Sequence, residues 1–403
     1  IGTLCPLMRF VRFLLCCLSI VTPLFAETPG TFSIPSALLE KNAALLKNSD
    51  VSLKPALDAL VKDADKALKQ KPLSVMDKTL RPASGDAHDY FSFGIYWWPD
   101  PSKPNGLPYI QKDGQRNPAS REGVDATAFA TTNHTIATLG LAYYFTGKET
   151  YAAKATELTR VWYLNEATRM NPNMNHAQAV PGRNDGRGIG LIEAEHLTDF
   201  MDGIAMIRSS EAWTDADHAA LRKWLGDFYQ WLRTSKNGLD QEKAANNHGV
   251  YYDALASHLA LYLGKKDEAK ARLEKALVRR LDAQIEPDGK QPLELKRTIS
   301  FSYTVFNLQA FFQLATLGES VEVDFWKHRG PKGQSLQVAL DLLIPYADSA
   351  KPWDLGQQIK NADRTTMLPF FQQALRYGEN PTYREVLEKY GAKQPAARWR
   401  LTR

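Results

Sequence analysis

Beyond residue 120, hydrophobic positions recur mainly at helical spacing, and short polar or glycine-containing turns interrupt them. The clearest segment is TDADHAALRKWLGDFYQWLRTS, in which apolar residues repeat at intervals of three and four. Thr214, followed three residues later by Asp217, matches the capping box that begins many helices. Similar periodicity predicts helices over 133–146, 151–164, 195–209, 249–263, 267–283, 303–317, 334–348 and 366–377.

Few stretches alternate as strands do, and helices joined by short loops usually pack as antiparallel neighbours. The pattern therefore predicts an all-α fold built of helical hairpins. Because such hairpins can close into a ring, with loops and helix N-termini around one opening, we expect an α/α toroid or an incomplete α/α barrel. It would form one domain over residues 27–403. The absence of a repeat at a fixed period argues against a helical-repeat solenoid.

Two segments do not fit helices, and long irregular segments inside compact domains often carry function. The first, at 90–118, is rich in proline, glycine and aromatic residues. In it Tyr96, Trp97 and Trp98 precede Pro99, and large rings of this kind commonly line ligand sites. We predict that these three residues bind substrate; the alternative is that some of the rings plug the base of the barrel.

The second irregular segment, at 168–193, combines amides, arginines and several glycines. Arginine presents a planar fork that suits carboxylates, and glycine permits tight turns. The segment holds four further candidates for substrate binding: Gln178, Arg183, Asn184 and Arg187. The alternative is that Arg183 pairs with Asp185, or Arg187 with Glu193, and merely fixes a surface loop.

A third group of residues begins at ANNHGVYYD, residues 245–253, on the approach to a predicted helix. A helix cap requires one side chain, and we expect Asn246 either to be that cap or to support its neighbours without contacting the substrate. Asn247 and His248 exceed what capping needs, so we expect them to contact a substrate. Tyr251 and Tyr252 follow as candidate substrate-binding residues.

A later stretch, QPLELKRTISFSYTVFN, supplies Arg297 and Tyr303. Together with Asn247 and His248 these residues could remove the proton α to a uronate carboxylate. That reaction needs donors that neutralise the carboxylate, here Asn247 and His248, together with a base and an acid. His248 or Tyr303 is the candidate base and Tyr303 the candidate acid, while Arg297 would favour the phenolate of Tyr303.

Composition and charge narrow the class of protein. The 403 residues are 44% hydrophobic and 24% charged, as in ordinary globular proteins, and the formal net charge is +5 without blocks of like charge. That balance is not typical of nucleic-acid-binding proteins, so an anionic ligand must be met by a few placed cations. We predict no nucleic-acid partner; the oligomeric state stays open.

The first residues have the parts of a secretory signal: Arg9 and Arg12, then an apolar run, then Ala26. We expect residues 1–26 to be a signal peptide, with 1–7 an upstream artefact, and the protein to be periplasmic or secreted. The apolar run is too short to favour a membrane span. All three cysteines precede residue 27, so a chain that begins near there has no disulfide or thiolate chemistry.

Other chemistries have weaker signals. The sequence has no HExxH motif, Cys/His cluster or Asp-rich loop, so we predict no metal or other cofactor, and it has no GxSxG elbow for a serine hydrolase. Inverting glycoside hydrolysis requires two carboxylates about 6.5 to 9.5 Å apart. Four acids keep that alternative open: Asp185, Glu193, Asp253 and Glu294. A non-catalytic polysaccharide-binding protein is the other alternative.

Four blocks of this sequence together resemble the alginate lyase superfamily of α/α-toroid polysaccharide lyases. They are YFSFGIYWWPDPSKPNGLPYIQKDG, MNPNMNHAQAVPGRNDGRGIGLIE, NNHGVYYD and IEPDGKQPLELKRTISFSYTVFNLQA, and they follow in the order of the family. The resemblance implies cleavage of β-1,4-linked uronates by elimination, without an essential metal, and most naturally of alginate. It places the catalytic pairs at Asn247 with His248 and at Arg297 with Tyr303, and the aromatic loop at the substrate cleft or its lid.

Two features depart from that family. Mannuronan lyases of the family read NNHSYW, whereas Gly249, Val250 and Tyr251 follow His248 here. The approach to Tyr303 also lacks an extra basic residue. These departures leave glucuronan, mixed uronans and glycosaminoglycans open as substrates.

Overall fold

The structure is a computed structural model that describes residues 1–2, 30–48 and 50–403. Residues 3–26 of the predicted signal peptide, which include the three cysteines, lie outside the described residues. A continuous hydrophobic core gathers residues from Leu39 near one end to Leu401 near the other. In the described part of the chain, no helix is both long and apolar enough to cross a membrane.

Helices dominate the described residues, which are 57% helix and 4% strand, and the all-α prediction is confirmed. The α-helices are α1 (Ser36–Lys47), α2 (Lys54–Ala67), α3 (Ala126–Thr146), α4 (Glu149–Thr159), α5 (His196–Met206), α6 (Asp215–Thr234), α7 (Lys236–Glu242), α8 (Asn247–Tyr262), α9 (Lys266–Ala276), α10 (Pro292–Leu295), α11 (Ser300–Glu319), α12 (Leu336–Asp341), α13 (Leu368–Ala374), α14 (Pro381–Tyr390) and α15 (Trp399–Thr402). The strands are β1 (Phe91–Phe93), β2 (Trp97–Trp98), β3 (Ile110–Gln111) and β4 (His176–Ala179).

The most buried helices each pack against several neighbouring helices. Helices α3, α8 and α11 are buried over most of their surface; α3 packs against α2, α4 and α5, and α8 packs against α5, α6, α9 and α11. Helix α6 is amphipathic and buries only the apolar face that its periodicity predicts. The predicted capping box is present, since Thr214 and Asp217 exchange side-chain to backbone hydrogen bonds. These features confirm the toroid.

The predicted helix bounds differ from the structure in instructive places. Helix α3 begins seven residues before its predicted start at 133, and α4 and α9 each change to a π-helical turn, at Arg160–Leu164 and Leu277–Asp282. Helices α1, α2 and α14 were not predicted; each contributes buried apolar residues to the core.

The two irregular segments pair with each other rather than lying apart. Strand β1 pairs in parallel with β4, with Phe91 opposite His176, and β2 pairs antiparallel with β3. The 3₁₀-helix Gly188–Glu195, which follows β4, packs against α7 and α8. The two segments therefore build one wall beside the N-terminus of α8.

Candidate active site

A cleft of about 600 Å³ lies between that loop wall and the N-terminal turns of α8 and α11. It is lined by eight of the residues predicted from the sequence: Tyr96, Trp97, Gln178, Arg187, Asn247, His248, Arg297 and Tyr303. Helix N-termini favour anions because their N–H groups and dipoles point outward. The cleft is thus built to receive a negatively charged ligand.

Asn247 is held in place by a buried carboxylate. Its backbone N–H and its side-chain Nδ2 donate to the two oxygens of Glu294, each at 2.8 Å. Asn246 occupies the N-cap position of α8, but its side chain makes no capping hydrogen bond, so the predicted side-chain cap is absent. Glu294 takes that role and leaves one Nδ2 hydrogen of Asn247 available to the cleft.

Gly249 explains one departure from the family pattern. A Cβ at this position would clash with the carbonyl of Ala244 and with the guanidinium of Arg280. Arg280 donates to the carbonyls of Glu242 and Ala244 and, at 2.7 Å, to Asp253, and so supports the turn that precedes His248. A serine in place of Gly249 would not fit.

His248 is uncharged in the free protein. Burial is the main cause that lowers the pKa of its imidazole, to about 3, and the positive charges of Arg297 and Arg187 lower it further. A neutral imidazole can accept a proton at one nitrogen and donate a hydrogen bond from the other. His248 can therefore act as a base or a donor without first losing a proton.

Arg297 and Tyr303 form a connected group with Asp113. The Arg297 Nε lies 3.2 Å from each Asp113 oxygen, its Nη2 donates to the Tyr303 hydroxyl at 2.8 Å, and its guanidinium lies 3.7 Å from the centroid of the Tyr303 ring. The Tyr303 hydroxyl in turn donates to the hydroxyl of Tyr96 at 3.0 Å. Thr298 fixes Asp113 through its backbone N–H and hydroxyl, both at 3.0 Å.

The predicted effect of Arg297 on Tyr303 is outweighed in the structure. Burial is the largest influence and raises the pKa of Tyr303, and the neighbouring Tyr96 raises it too, while Arg297 lowers it by less. Asp113 already pairs with Arg297 and so offsets part of its charge. Tyr303 is therefore a protonated phenol in the free protein, which suits an acid better than a base.

The loop wall supports a stack of side chains. Arg187 Nε and Nη2 donate to the backbone and side-chain oxygens of Gln178 at 3.1 and 2.9 Å. The guanidinium carbon of Arg187 lies 5.6 Å from the centroid of the Trp97 ring, and that of Arg183 lies 5.1 Å from the same ring. Trp97 is thus flanked by two cations, a stabilising arrangement for an indole face.

The remaining predicted residues do not line the cleft. The Trp98 indole donates to the carbonyl of Gln115, and Arg183 and Asn184 are exposed, with Arg183 bound to the carbonyl of Tyr109. Tyr251 and Tyr252 are buried, with their hydroxyls on the carbonyls of Phe306 and Leu232. The departure at Tyr251 therefore changes the packing beneath the cleft rather than its surface.

The cleft also contains residues that the sequence reasoning missed: Asp113, Arg116, Arg121, Glu195 and His196. Asp113 and Arg116 lie in the first irregular segment, so their position there was the available signal. Glu195 and His196 lie where a helix was predicted to begin, and burial raises the pKa of Glu195 to about 8. No pattern in the neighbouring sequence predicts that the side chains of Glu195 and His196 face a cleft.

The four acids considered for glycoside hydrolysis do not form a pair in the cleft. Asp185 is exposed outside it, Asp253 is buried among arginines, and Glu294 is buried behind Asn247. Glu193 lines the cleft but accepts hydrogen bonds from Tyr90 and Ser92. Among the described residues, no group of three or more His, Cys, Asp and Glu side chains is arranged to hold a metal ion.

The chain is similar to known alginate lyases in sequence and in fold. The model of the alginate lyase family matches residues 74–353. A solved alginate lyase from Bacteroides ovatus is 38% identical over 93% of this chain and 99% of its own, with a TM-score of 0.88. No match was found among curated protein sequences.

More distant structures share the fold. Alginate lyase A1-III from Sphingomonas species A1 is 15% identical over 89% of this chain and 92% of its own, with a TM-score of 0.56. A variant of alginate lyase A1-III complexed with a tetrasaccharide is 16% identical over 90% of this chain and 91% of its own, with the same TM-score.

The toroid, its cleft and these similarities define the protein as a polysaccharide lyase. The glycoside hydrolase and the non-catalytic binding protein are thereby set aside. The chain belongs to the alginate lyase family, as the resemblance in its four sequence blocks predicted.

Proposed function

We propose that this lyase cleaves alginate, a β-1,4-linked polyuronate, by β-elimination in the cleft. The observation that carries the proposal is the Tyr303 hydroxyl, which is hydrogen-bonded between Arg297 and Tyr96 in the same cleft as Asn247 and His248. The 38% identical relative is described as an alginate lyase, and a more distant one was solved with a tetrasaccharide. The helix N-termini around the cleft suit an anionic polymer.

The elimination divides its proton transfers between two residues. The neutral His248 accepts the proton at C5, and the electron pair of that C–H bond forms the C4–C5 double bond. The bond from C4 to the bridging oxygen breaks, and the phenol of Tyr303 protonates the leaving oxygen. Their opposite pKa shifts suit these roles, since His248 is free of its proton and Tyr303 keeps its own.

The substrate carboxylate must be stabilised while its α-carbon loses the proton, because negative charge develops on its oxygens. The free Nδ2 hydrogen of Asn247 is one donor for this purpose, and Glu294 fixes its direction. Negative charge near His248 also makes its imidazole a stronger base when substrate binds, because an adjacent anion favours the imidazolium.

A panel of polymers tests the function. Polymannuronate, polyguluronate, glucuronan and chondroitin are incubated with the protein, and ultraviolet absorbance and product mass are recorded. We expect unsaturated products from the two alginate polymers, without the mass of an added water. Products that gain one water per cleavage would refute elimination. Preference for glucuronan or chondroitin would keep the reaction and replace the substrate.

The pH dependence of kcat/KM tests the division of roles. With His248 as base, kcat/KM is already at its plateau near pH 6.5 and falls only when Tyr303 ionises at high pH. If the phenolate of Tyr303 is instead the base, kcat/KM keeps rising about tenfold per pH unit through neutral pH.

We further propose that the protein works in the periplasm or outside the cell, since its first 26 residues have the pattern of a secretory signal. N-terminal sequencing of the protein recovered from a cell that exports it would test this. Recovery of residues 1–26 on the exported chain would contradict the proposal.

A further inference from the structure

Arg187 differs from two other arginines of the cleft in having no carboxylate partner among the described residues. Arg297 pairs with Asp113, and Arg121 pairs with Glu193 at 3.4 Å. In the described part of the chain, Arg187 forms no ion pair with any carboxylate, and its hydrogen bonds go to the uncharged Gln178. Arg116 also lacks an ion pair, but it is exposed, so water solvates its charge.

Holding such a cation partly out of water is unfavourable, and the structure shows the effect. Burial lowers the pKa of Arg187 to about 10, so the side chain remains charged at neutral pH. Glu193 acts in the opposite direction, but its carboxylate is occupied by Tyr90, Ser92 and Arg121. An unpaired charge in such a place is costly unless a ligand supplies the partner.

Local packing fixes where this cation points. Gly94 leaves room for it, because a Cβ there would lie 2.8 Å from Arg187 Nη2 and 2.6 Å from Trp97 Cδ1. Gln178, which binds the guanidinium, has a backbone φ of +50°, and its N–H donates to the Ser92 hydroxyl at 2.8 Å. Non-glycine residues seldom adopt this conformation, and such strain is concentrated at functional sites.

The neutralising pair of the proposed mechanism brings no full positive charge. Asn247 is an amide, His248 is neutral, and the charge of Arg297 is shared with Asp113. Arg187 lines the same cleft, and its charge reaches the His248 imidazole, whose pKa it lowers. Among the described residues of the cleft, Arg187 is therefore a half-buried and directed cation without an ion pair, close enough to His248 to affect its imidazole.

We propose that Arg187 is a catalytic residue that pairs with the carboxylate of the sugar undergoing elimination, and that Gln178 is its positioning residue. This inference rests on the proposed function. As the C5 proton leaves, the carboxylate takes up the electron pair as an enediolate and becomes more negative. Arg187 then stabilises the transition state more than the bound substrate, so its contribution belongs to kcat.

The variant Arg187→Gln tests whether Arg187 is catalytic. Arg183→Gln is the matched control, because the guanidinium of Arg183 packs on the same Trp97 ring. We expect Arg187→Gln to lower kcat about 100-fold and the exposed Arg183→Gln to lower it less than about threefold. Circular dichroism and thermal melting establish that both variants are folded. Unsaturated product from the unaltered protein, together with an unchanged kcat in Arg187→Gln, would overturn this inference while leaving the proposed function intact.

The division between kcat and KM separates two roles. If Arg187 instead binds the carboxylate of a neighbouring sugar, KM rises while kcat stays within about threefold, and the assignment to the reacting sugar is wrong. If the unaltered protein yields no unsaturated product from any polyuronate, the proposed function fails first and this inference fails with it.

Gln178→Glu removes the free charge without touching Arg187. The new carboxylate has nearly the same shape, and the amide oxygen that it replaces lies 2.9 Å from Arg187 Nη2, so an internal ion pair would form. We expect kcat to fall at least about tenfold. Thermal melting measures the separate effect of the lost hydrogen bond from Gln178 to the Glu193 carboxylate. A merely structural role for Gln178 predicts an unchanged kcat, since the substitution keeps the hydrogen bond from Arg187. Full activity in this variant would therefore contradict the proposal.

Discussion

The arginines on the two sides of the N-terminus of α8 differ in whether carboxylates pair with them. Behind the helix, the fully buried Asp253 accepts hydrogen bonds from Arg272, Arg279 and Arg280 at 2.9, 3.1 and 2.7 Å. In front of it, Arg187 donates its hydrogen bonds to Gln178 and forms no ion pair with any described carboxylate. The first group completes its pairing inside the protein and supports the turn before His248. On the second side, the charge of Arg187 has no carboxylate partner among the described residues.

The contrast separates charges that hold the fold from charges that act on a ligand. A buried carboxylate surrounded by arginines is destabilising to disrupt, because each remaining cation loses its partner. A directed cation without a partner costs stability until a ligand binds. Substitutions on the cleft side of α8 should therefore lower kcat, whereas those on the other side should lower the free energy of unfolding.

The largest effect is expected from Tyr303→Phe, on the cleft side. Removing the hydroxyl removes the acid for the leaving oxygen and should lower kcat about 1,000-fold or more. The melting temperature should change little, since the phenol's hydrogen-bonding partners, Arg297 and Tyr96, both lie in the cleft. Initial rates from ultraviolet absorbance measure this. A variant that keeps a near-normal kcat would exclude Tyr303 from the chemistry.

Asp253→Asn should act on the other side. The amide cannot satisfy three guanidinium groups, so we expect the free energy of unfolding to fall by about 3 to 5 kcal/mol. Denaturant unfolding measures the change, and Asp240→Asn, at a surface pair with Lys236, is the control, expected within about 0.5 kcal/mol. Equal losses in the two variants would show that burial of the cluster contributes nothing.

Glu294→Gln combines features of both sides of α8, because Glu294 is a buried carboxylate that positions Asn247 in the cleft. An amide accepts with one oxygen only, so one of the two hydrogen bonds from Asn247 is lost, and kcat should fall about tenfold. The effect should disappear when Asn247 is already alanine, because the side-chain hydrogen bond is then absent and an amide at position 294 can still accept from the backbone N–H. Additive losses in the double variant would mean that Glu294 acts through another contact.

The smallest effect concerns stability against acid. The folded pKa of His248, about 3, lies below the ordinary value near 6.5, so the unfolded chain binds more protons between these values. Its contribution is fully present above about pH 6.5 and is lost as pH falls toward about 3. Thermal melting of His248→Gln should therefore decline less steeply over this range than that of the unaltered protein; identical slopes would refute a buried neutral imidazole.

Local patterns were sufficient for much of this protein. Helical periodicity predicted α6 and its capping box, because a helix and its cap depend on residues three and four apart. The motifs around Asn247, His248, Arg297 and Tyr303 indicated the family and the residues that now line one cleft. The Pro/Gly-rich segments identified the loop wall, since such composition breaks helices wherever the chain folds.

Other properties depend on residues far apart in the chain, and only the tertiary structure decided them. Asp113 meets Arg297 across 184 positions, and Glu294 reaches Asn247 across 47, so no local spacing predicts either contact. Burial outweighed the expected effect of Arg297 on the pKa of Tyr303, because desolvation depends on everything packed around the phenol. Whether Arg187 has an ionic partner is likewise a property of the assembled cleft, since an ion pair requires two side chains to meet in space.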